Sequence, residues 1–321
     1  MAQASGSAGR ITIQPETTWG VAPITPNTIE LSSSAYGESL RSSSEEIVSN
    51  AINKYGAVLA TRRGQITVEG SVPFELPVNN SDIVLYGVMG SYVQEDVVIG
   101  LVTKKKKTFK RGSTLPSFLI EKGFTDIGQY FKYLGCKFNG LQLAVEPNGL
   151  VSGSFDVMGL QAEVASVSFD DTPIQYNHNP YIGIDGEVLE GGVGAKYTAF
   201  NLNITNGITD PRIIGSAYAA SLTKGSVECT GDLTIMFEDL VMYNKWLADA
   251  QTDIRLTFTI GDDSVEFYFP KVKFNGEADP VLDSKDGITQ TFSWRALLDL
   301  TVQSDVVITL INDFDLDAAL A

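Results

Sequence analysis

Histidine and cysteine are nearly absent from this chain of 321 residues, which contains one His (His178) and two Cys (Cys136 and Cys229). A closed zinc site uses four Cys or His ligands, and the disulfide framework of a small secreted domain uses four or more cysteines. The sequence therefore predicts no cofactor, no such metal centre and no disulfide scaffold. It also disfavours chemistry that depends on a histidine base, so we expect a protein that is not an enzyme.

Basic residues are scarce as well, since 23 Lys and Arg stand against 39 Asp and Glu and give a formal net charge of −16. Residues 1–160 carry 14 basic and 14 acidic side chains, whereas residues 161–321 carry 9 and 25. A protein that binds nucleic acid from solution needs a basic surface, because much of its affinity comes from neutralised phosphates. This chain is predicted to repel nucleic acid over most of its surface.

Long apolar runs are missing too. No stretch of 18 apolar residues occurs, and residues 1–10 lack the pattern of a secretion signal. We therefore expect no membrane partner and a reducing cytoplasm as the place of synthesis. Hydrophobic residues still make up 43% of the chain, which is enough material for a full core.

One short segment concentrates positive charge; its basic residues are Lys104, Lys105, Lys106, Lys107, Lys110 and Arg111. The apolar runs at 97–102 and 118–120 flank it and predict a long hairpin with a polar tip that contains Gly112. A solvated tip is one interpretation, because runs of charge usually face water. The other is a projecting hairpin that docks on the acidic surface of another copy.

The sequence contains an internal repeat. Residues 64–76 and 225–237 match at an offset of 161, with both glycines and every apolar position aligned in strictly alternating strands. Helix-like segments at 82–86 and 239–243 follow at an offset of 157, and Lys-Phe-Asn-Gly at 137–140 recurs at 273–276. The 21 extra residues of the first copy fall where the basic hairpin lies.

These matches predict a mainly β protein of two tandem sandwich or barrel domains, each with a flanking short helix. The first domain would span residues 1–163, with the hairpin inserted near 97–117. The second, acidic domain would span residues 164–321 and end in an acidic C-terminal tail. Segments 28–32 and 199–204 are predicted as equivalent first strands of the two domains.

Two regions resemble the major tail tube proteins of long-tailed (siphovirus-type) bacteriophages. One is Glu-Thr-Thr-Trp-Gly-Val-Ala-Pro at 16–23, followed by a first strand and the glycine strand at 64–76; the other is 124–140, which leads into an alternating strand at 141–145. The resemblance spans roughly residues 10 to 300 and implies a β-sandwich subunit with a flanking helix and a long loop. It also implies rings with a closed inner β-barrel that stack into a hollow tube, and it brings no catalytic residue.

The resemblance further implies rings of six domains, which three two-domain chains would complete as a trimer with pseudo-six-fold symmetry. We expect a negatively charged bore that DNA crosses without specific binding, and contact between the basic hairpin and an adjacent ring. The implied location is the virion tail, after assembly in the bacterial host cytoplasm. The implied partners are further copies of the chain and the tail tip or initiator, tape measure and tail terminator proteins.

Two other classes of function stay open on the residues alone. A β-sandwich adhesin or carbohydrate-binding module would use the 12 Tyr and 3 Trp, although aromatic residues such as Phe74 and Phe138 occupy alternating, core-type positions. A hydrolase with two carboxylates would use pairs such as Glu45/Glu46 or Asp170/Asp171.

Overall fold

The computed structural model describes residues 3–31, 37–277, 279–281 and 287–320, in which 18 strands and three α-helices are found. The strands before residue 166 are β1 (Gly9–Pro15), β2 (Ile29–Glu30), β3 (Arg41–Val48), β4 (Thr61–Glu75), β5 (Gly90–Ile99), β6 (Val102–Arg111), β7 (Phe118–Phe124), β8 (Gln129–Val145), β9 (Ser152–Gly159) and β10 (Gln161–Ala165). Those after it are β11 (Gly186–Glu190), β12 (Val193–Gly194), β13 (Tyr197–Thr205), β14 (Glu228–Met236), β15 (Gln251–Ile260), β16 (Asp263–Asn275), β17 (Thr289–Ala296) and β18 (Val307–Asn312). The helices are α1 (Asp82–Met89), α2 (Val241–Leu247) and α3 (Leu316–Leu320).

All the paired strands are antiparallel, and they join one large sheet that is open in the single chain. The prediction of a mainly β fold is therefore confirmed. The strands do not form two separate barrels, because β8 pairs with β13 from Val145–Phe200 to Gly140–Thr205 and so connects the two halves.

The two halves have the same order of strand pairing; we call residues 9–165 the first unit and residues 186–312 the second unit. In the first unit β4 pairs with β3 and β9, β8 pairs with β7, β9 and β10, and β7 pairs with β1. In the second unit β14 pairs with β13 and β17, β16 pairs with β15, β17 and β18, and β15 pairs with β11. The strand beside β4 is β3, so the prediction that 28–32 is the counterpart of 199–204 is wrong.

The two repeat glycines lie at equivalent points of close approach. Gly70 lies opposite Val157, and Gly231 lies opposite Trp294. A Cβ atom on Gly70 would lie 2.4 Å from the backbone of Leu40, and one on Gly231 would lie 2.4 Å from the Trp294 ring. Glycine is required at both positions because no larger residue fits.

The core lies between the buried faces of these strands, and one continuous hydrophobic cluster includes residues of both units. Its largest fully buried side chains include Phe138, Phe155, Phe200, Phe292 and Trp294. The alternating strands of the repeat supply this layer, as their period-two pattern predicts.

The segment between the units packs on the first unit. The hydroxyl of Ser168 donates to Glu121, and both the amide and the hydroxyl of Thr28 donate to the Asp170 carboxylate. Further along, the amide of Tyr181 donates to the carbonyl of Leu76. These contacts attach the segment to the first unit; the predicted boundary at 163 falls inside β10 and stays a prediction.

The basic hairpin differs from the predicted one. Its strands are β5 and β6, and its tip is the two-residue turn Gly100–Leu101, in which Gly100 has a φ of 63°. The residues at 118–120 belong instead to β7, which pairs with β1 and β8. The lysine run is not a polar tip, because β6 is paired on both sides, with β5 and with β18 of the second unit.

A buried ionic network joins this hairpin to α1 and β18. The Lys107 ammonium lies 2.8 Å from the Asp82 carboxylate and donates to the Asn312 side chain and to the Phe314 carbonyl, 2.8 Å away. The Asn312 amide in turn donates to Asp82 at 3.1 Å. Burial raises the pKa of Asp82 and lowers the pKa of Lys107, and the attraction between the two charges opposes both shifts.

The acidic C-terminal segment packs on the rest of the chain. Strand β18 pairs with β16 and β6, and Phe314 and Leu316 beyond it are buried. A hydrogen bond from the Gln94 side chain lowers the pKa of Asp315 to about 2. The carboxylates of this segment therefore bind the β5–β6 hairpin instead of facing solvent alone.

We expect Lys107→Ala to lower the free energy of unfolding by about 3–5 kcal/mol, because it leaves the buried Asp82 carboxylate without its partner. Lys106→Ala is the matched control, since Lys106 is partly exposed and pairs with Glu95 at the surface; it should cost less than about 1 kcal/mol. Urea unfolding followed by tryptophan fluorescence measures both values. Equal losses in the two variants would contradict a structural role of the buried pair.

Candidate functional site

A continuous polar surface covers eight strands on the side away from the core. In order across the sheet these strands are β3, β4, β9, β8, β13, β14, β17 and β16. We call this surface the open face. Its outward side chains on the six central strands are Thr67, Glu69, Ser71, Pro73, Glu75, Ser152, Ser154, Asp156, Gln142, Ala144, Ala199, Asn201, Asn203, Thr205, Glu228, Thr230, Asp232, Thr234, Met236, Thr289, Thr291, Ser293 and Arg295.

The open face is concave. A depression of about 890 Å³ lies on it and is lined from β4, β9, β8, β13, β14 and β17, that is, from both units. Small hydroxyl and amide side chains dominate it and bond across neighbouring strands. The Ser293 hydroxyl donates to Asp232 at 2.7 Å, and the hydroxyls of Thr234 and Thr291 lie 2.9 Å apart. Most of the outward side chains of the open face are therefore polar.

The charge of the open face is negative. Its central strands carry the carboxylates Glu69, Glu75, Asp156, Glu228 and Asp232. On the same side of these strands, the Arg295 guanidinium lies 3.4 Å from Glu228, and Lys137, opposite Met158, donates to the Leu222 carbonyl. A polyanion near this surface would be repelled, since uncompensated carboxylates face it.

The eight-stranded sheet ends in two edges that lack a partner within the described residues. Strand β3 pairs there with β4 alone. At the other side, Phe274 and Asn275 of β16 pair with β17 but lie beyond the last pair with β15, at Lys273. Unpaired strand edges are sites at which another strand can add.

Three of the six basic residues singled out in the sequence are enclosed by the chain itself. The Lys104 ammonium lies 2.9 Å from both Asp263 and Asp313. The Arg111 guanidinium binds the Asp305 carboxylate with two hydrogen bonds, of 2.9 and 3.1 Å. Lys107, the third, is the buried residue already described. Of their four acidic partners in the same chain, Asp263 and Asp305 lie in the second unit, Asp313 follows it directly and Asp82 lies in α1.

The other three basic residues keep part of their surface. Lys105 lies 2.9 Å from Asp96 and Lys106 lies 2.7 Å from Glu95, both on the neighbouring strand β5. Lys110 donates to the carbonyl of Val302. Contact of the six residues with an adjacent ring therefore stays a prediction, and Lys105, Lys106 and Lys110 are the ones with surface available for it.

A second projecting hairpin was missed in the sequence. Strand β3 is exposed along its whole length, and so are the loop and the start of β4 that follow it. We call residues 41–63 the arm. Its cations Arg41, Lys54, Arg62 and Arg63 make no ion pair within the described residues. The absence of apolar alternation at 41–48 is the signal that could have identified an exposed strand.

The residues considered for enzymatic chemistry have structural contacts. Asp170 accepts hydrogen bonds from Thr28, and His178 lies 2.8 Å from Glu75 at the surface. Burial raises the pKa of the Cys136 thiol well above its ordinary value. In the described part of the chain, no group of three His, Cys, Asp or Glu residues is placed to hold a metal ion. No helix there is long and apolar enough to cross a membrane.

Comparison with known proteins identifies the family. No curated protein matches the chain. A family model described as phage tail tube protein matches residues 6–296, which include both units almost completely. The match covers the open face and both projecting hairpins, and it supports a structural component of the virion tail over a carbohydrate-binding module. The chain belongs to the phage tail tube protein family.

Proposed function

We propose that this protein is the repeating subunit of the tail tube of a long-tailed phage, and that its rings stack into a conduit for genomic DNA. The observation that carries the proposal is the open face, which is concave, polar and acidic and is continuous across both units. Placed on the inside of a ring, this surface would line the bore. DNA would pass without adhering, because carboxylates repel phosphates and no cationic face holds them.

The strand pairing between the two units of one chain indicates how neighbouring chains would pair in a ring. Within the chain, β8 of the first unit pairs with β13 of the second. The counterparts of these two strands in the repeat are β16 and β3. Within the described residues, the outer edge of β3 is unpaired, and so are Phe274 and Asn275 at the end of β16 on the side away from β17. In the ring, β16 of one copy would therefore pair with β3 of the next copy near Gly276. Repetition of this contact closes the inner barrel.

Each chain would contribute two tandem tube domains, with a boundary near residue 183. The equal pairing order and the equivalent glycines of the two units support this duplication. Three chains then supply the six domains that the family resemblance implies for one ring, which gives a trimer with pseudo-six-fold symmetry.

Stacking of rings would use the two projecting hairpins. The β5–β6 hairpin exposes Val98 and Leu101 at its tip, and the arm carries four cations that have no ion-pair partner in the described part of the chain. An acidic surface of an adjacent ring would complement these cations. Assembly would take place in the bacterial host cytoplasm with a tail tip or initiator, a tape measure and a tail terminator protein, and no catalysis is involved.

Ring composition gives the first test. Native mass spectrometry of isolated rings should give a mass of three chains, each of 34.7 kDa. Cryo-electron microscopy of tubes should show the same count in every layer. Six chains in one ring would contradict the assignment of two tube domains to each chain.

The bore charge gives the second test. Assembled tubes of the double variant Glu69→Lys, Asp156→Lys should retain linear duplex DNA at low salt at least about tenfold more than wild-type tubes, and the difference should shrink as salt rises. Glu187→Lys, Asp262→Lys is the control, since it changes the net charge equally at exposed residues away from the open face. Equal retention by both double variants, measured by co-sedimentation, would show that the open face does not line the bore.

Stacking gives the third test. We expect Lys105→Glu, Lys106→Glu to shorten tubes without breaking rings, because it reverses the partly exposed charges and leaves buried Lys104 and Lys107 intact. Lys196→Glu, Lys271→Glu changes the net charge equally and serves as control. Negative-stain microscopy measures tube length, and unchanged tube yield and salt resistance would argue against the hairpin contact.

A further inference from the structure

Helix α2 exposes an apolar face that its counterpart α1 buries. In α1, Ile83 and Val84 are 0% and 5% exposed, whereas their repeat counterparts in α2, Leu240 and Val241, are 52% and 54% exposed. Leu247 at the end of α2 is exposed as well. The two units share their pairing order, so the difference lies in what surrounds each helix.

Strands β5, β6 and β8 of the first unit pack against α1, and the second unit bonds to both ends of the helix. The buried Asn206 amide donates to the Val88 carbonyl at one end of α1, at 2.9 Å. The Asn312 amide donates to Asp82 at the other end, at 3.1 Å. Both asparagines belong to the second unit. Within the described residues no unit stands next to α2 in the way that the second unit stands next to α1.

The surface that would cover α2 is defined by the repeat. Asn312 lies at the end of β18, and the counterpart of β18 is β10, since β10 pairs with β8 as β18 pairs with β16. Strand β18 is covered by β6 on its other edge, whereas β10 pairs only with β8 within the described residues. Val164 in β10 and Val167 just after it are 65% and 64% exposed.

We propose that the α2 patch (Leu240, Val241 and Leu247) of one copy packs against the β10 patch (Val164 and Val167) of the next copy in the ring. The occupant is a second copy of this chain, because the contact repeats between chains the relation that α1 has to the second unit within the chain. Contact between the two patches removes five exposed aliphatic side chains from water. This inference rests on the proposed ring and adds a hydrophobic contact to its strand pairing.

Cross-linking tests the contact directly. The native Cys136 and Cys229 are buried, so a chain with Leu240→Cys and Val164→Cys presents two accessible thiols. A short bis-maleimide should convert its assembled rings into a ladder that ends at the number of chains in the ring. Each single variant should give no ladder beyond the dimer. The pair Leu240→Cys, Val193→Cys, which has the same exposure in the second unit, should give none either.

Substitution tests its contribution to assembly. Val241→Asp, Leu247→Asp should lower the fraction of protein in rings at least tenfold at fixed concentration, while Ile214→Asp at a fully exposed position outside the proposed contacts should leave ring formation unchanged. Thermal unfolding of the unassembled protein shows whether each variant is folded. Rings that form normally but give no ladder from Leu240→Cys, Val164→Cys would overturn this inference and leave the proposed function standing. Failure of the wild-type protein to form rings would refute both.

Discussion

The backbone pairing of β8 with β13 is the constraint on which the rest of the structure depends. It joins the last long strand of the first unit to the first long strand of the second through a continuous ladder from Val145–Phe200 to Gly140–Thr205. Because ladder pairing fixes both register and face, the polar side chains of the two units must lie on the same side. Asn206 secures the junction, since its buried amide donates to the Phe138 and Val88 carbonyls. One concave acidic surface results instead of two independent ones.

The inserted hairpin explains how four consecutive lysines can lie within a sheet. Strand β6 lies between β5 and β18, so its lysines meet carboxylates from both sides: Glu95 and Asp96 on β5, and Asp263 and Asp313 of the second unit. An isolated buried ammonium would be strongly unfavourable, and Lys107 is tolerated because Asp82, Asn312 and a carbonyl bind it together. The hairpin thereby fills the space between α1 and the second unit.

Much of the fold could be predicted from the sequence, because alternation and literal repeats report local structure. The offsets of 161 and 136 identified β4 with β14 and β8 with β16, and the pairing register agrees with them. The burial of the lysine run was not predicted. Asp313, which binds Lys104, and Asn312, which binds Lys107, lie about 200 residues away in the sequence, and a run of charged residues gives no local sign of burial. Strand β3 was missed because all of its residues are exposed and carry no apolar period. The acidic character of the open face follows from composition, but its continuity depends on a pairing between units that local pattern does not encode.

The two units share a topology but not their surroundings, and this difference has a consequence for assembly. The junction inside the chain includes the β5–β6 hairpin, the Lys107 network and the bidentate hydrogen bonds of Arg111 to Asp305. A junction between chains would lack a hairpin, because β15 follows α2 directly in the second unit. In a ring of three such chains, strong junctions between the two units of one chain would alternate with weaker junctions between chains. The weaker ones would consist of a strand edge and an apolar helix face. Such a ring would have three-fold symmetry, with six similar domains in pseudo-six-fold positions, so assembly and disassembly would occur at the three seams between chains. Each chain would thereby enclose its own buried charges, and the seams within a ring would match a strand edge and an apolar helix face.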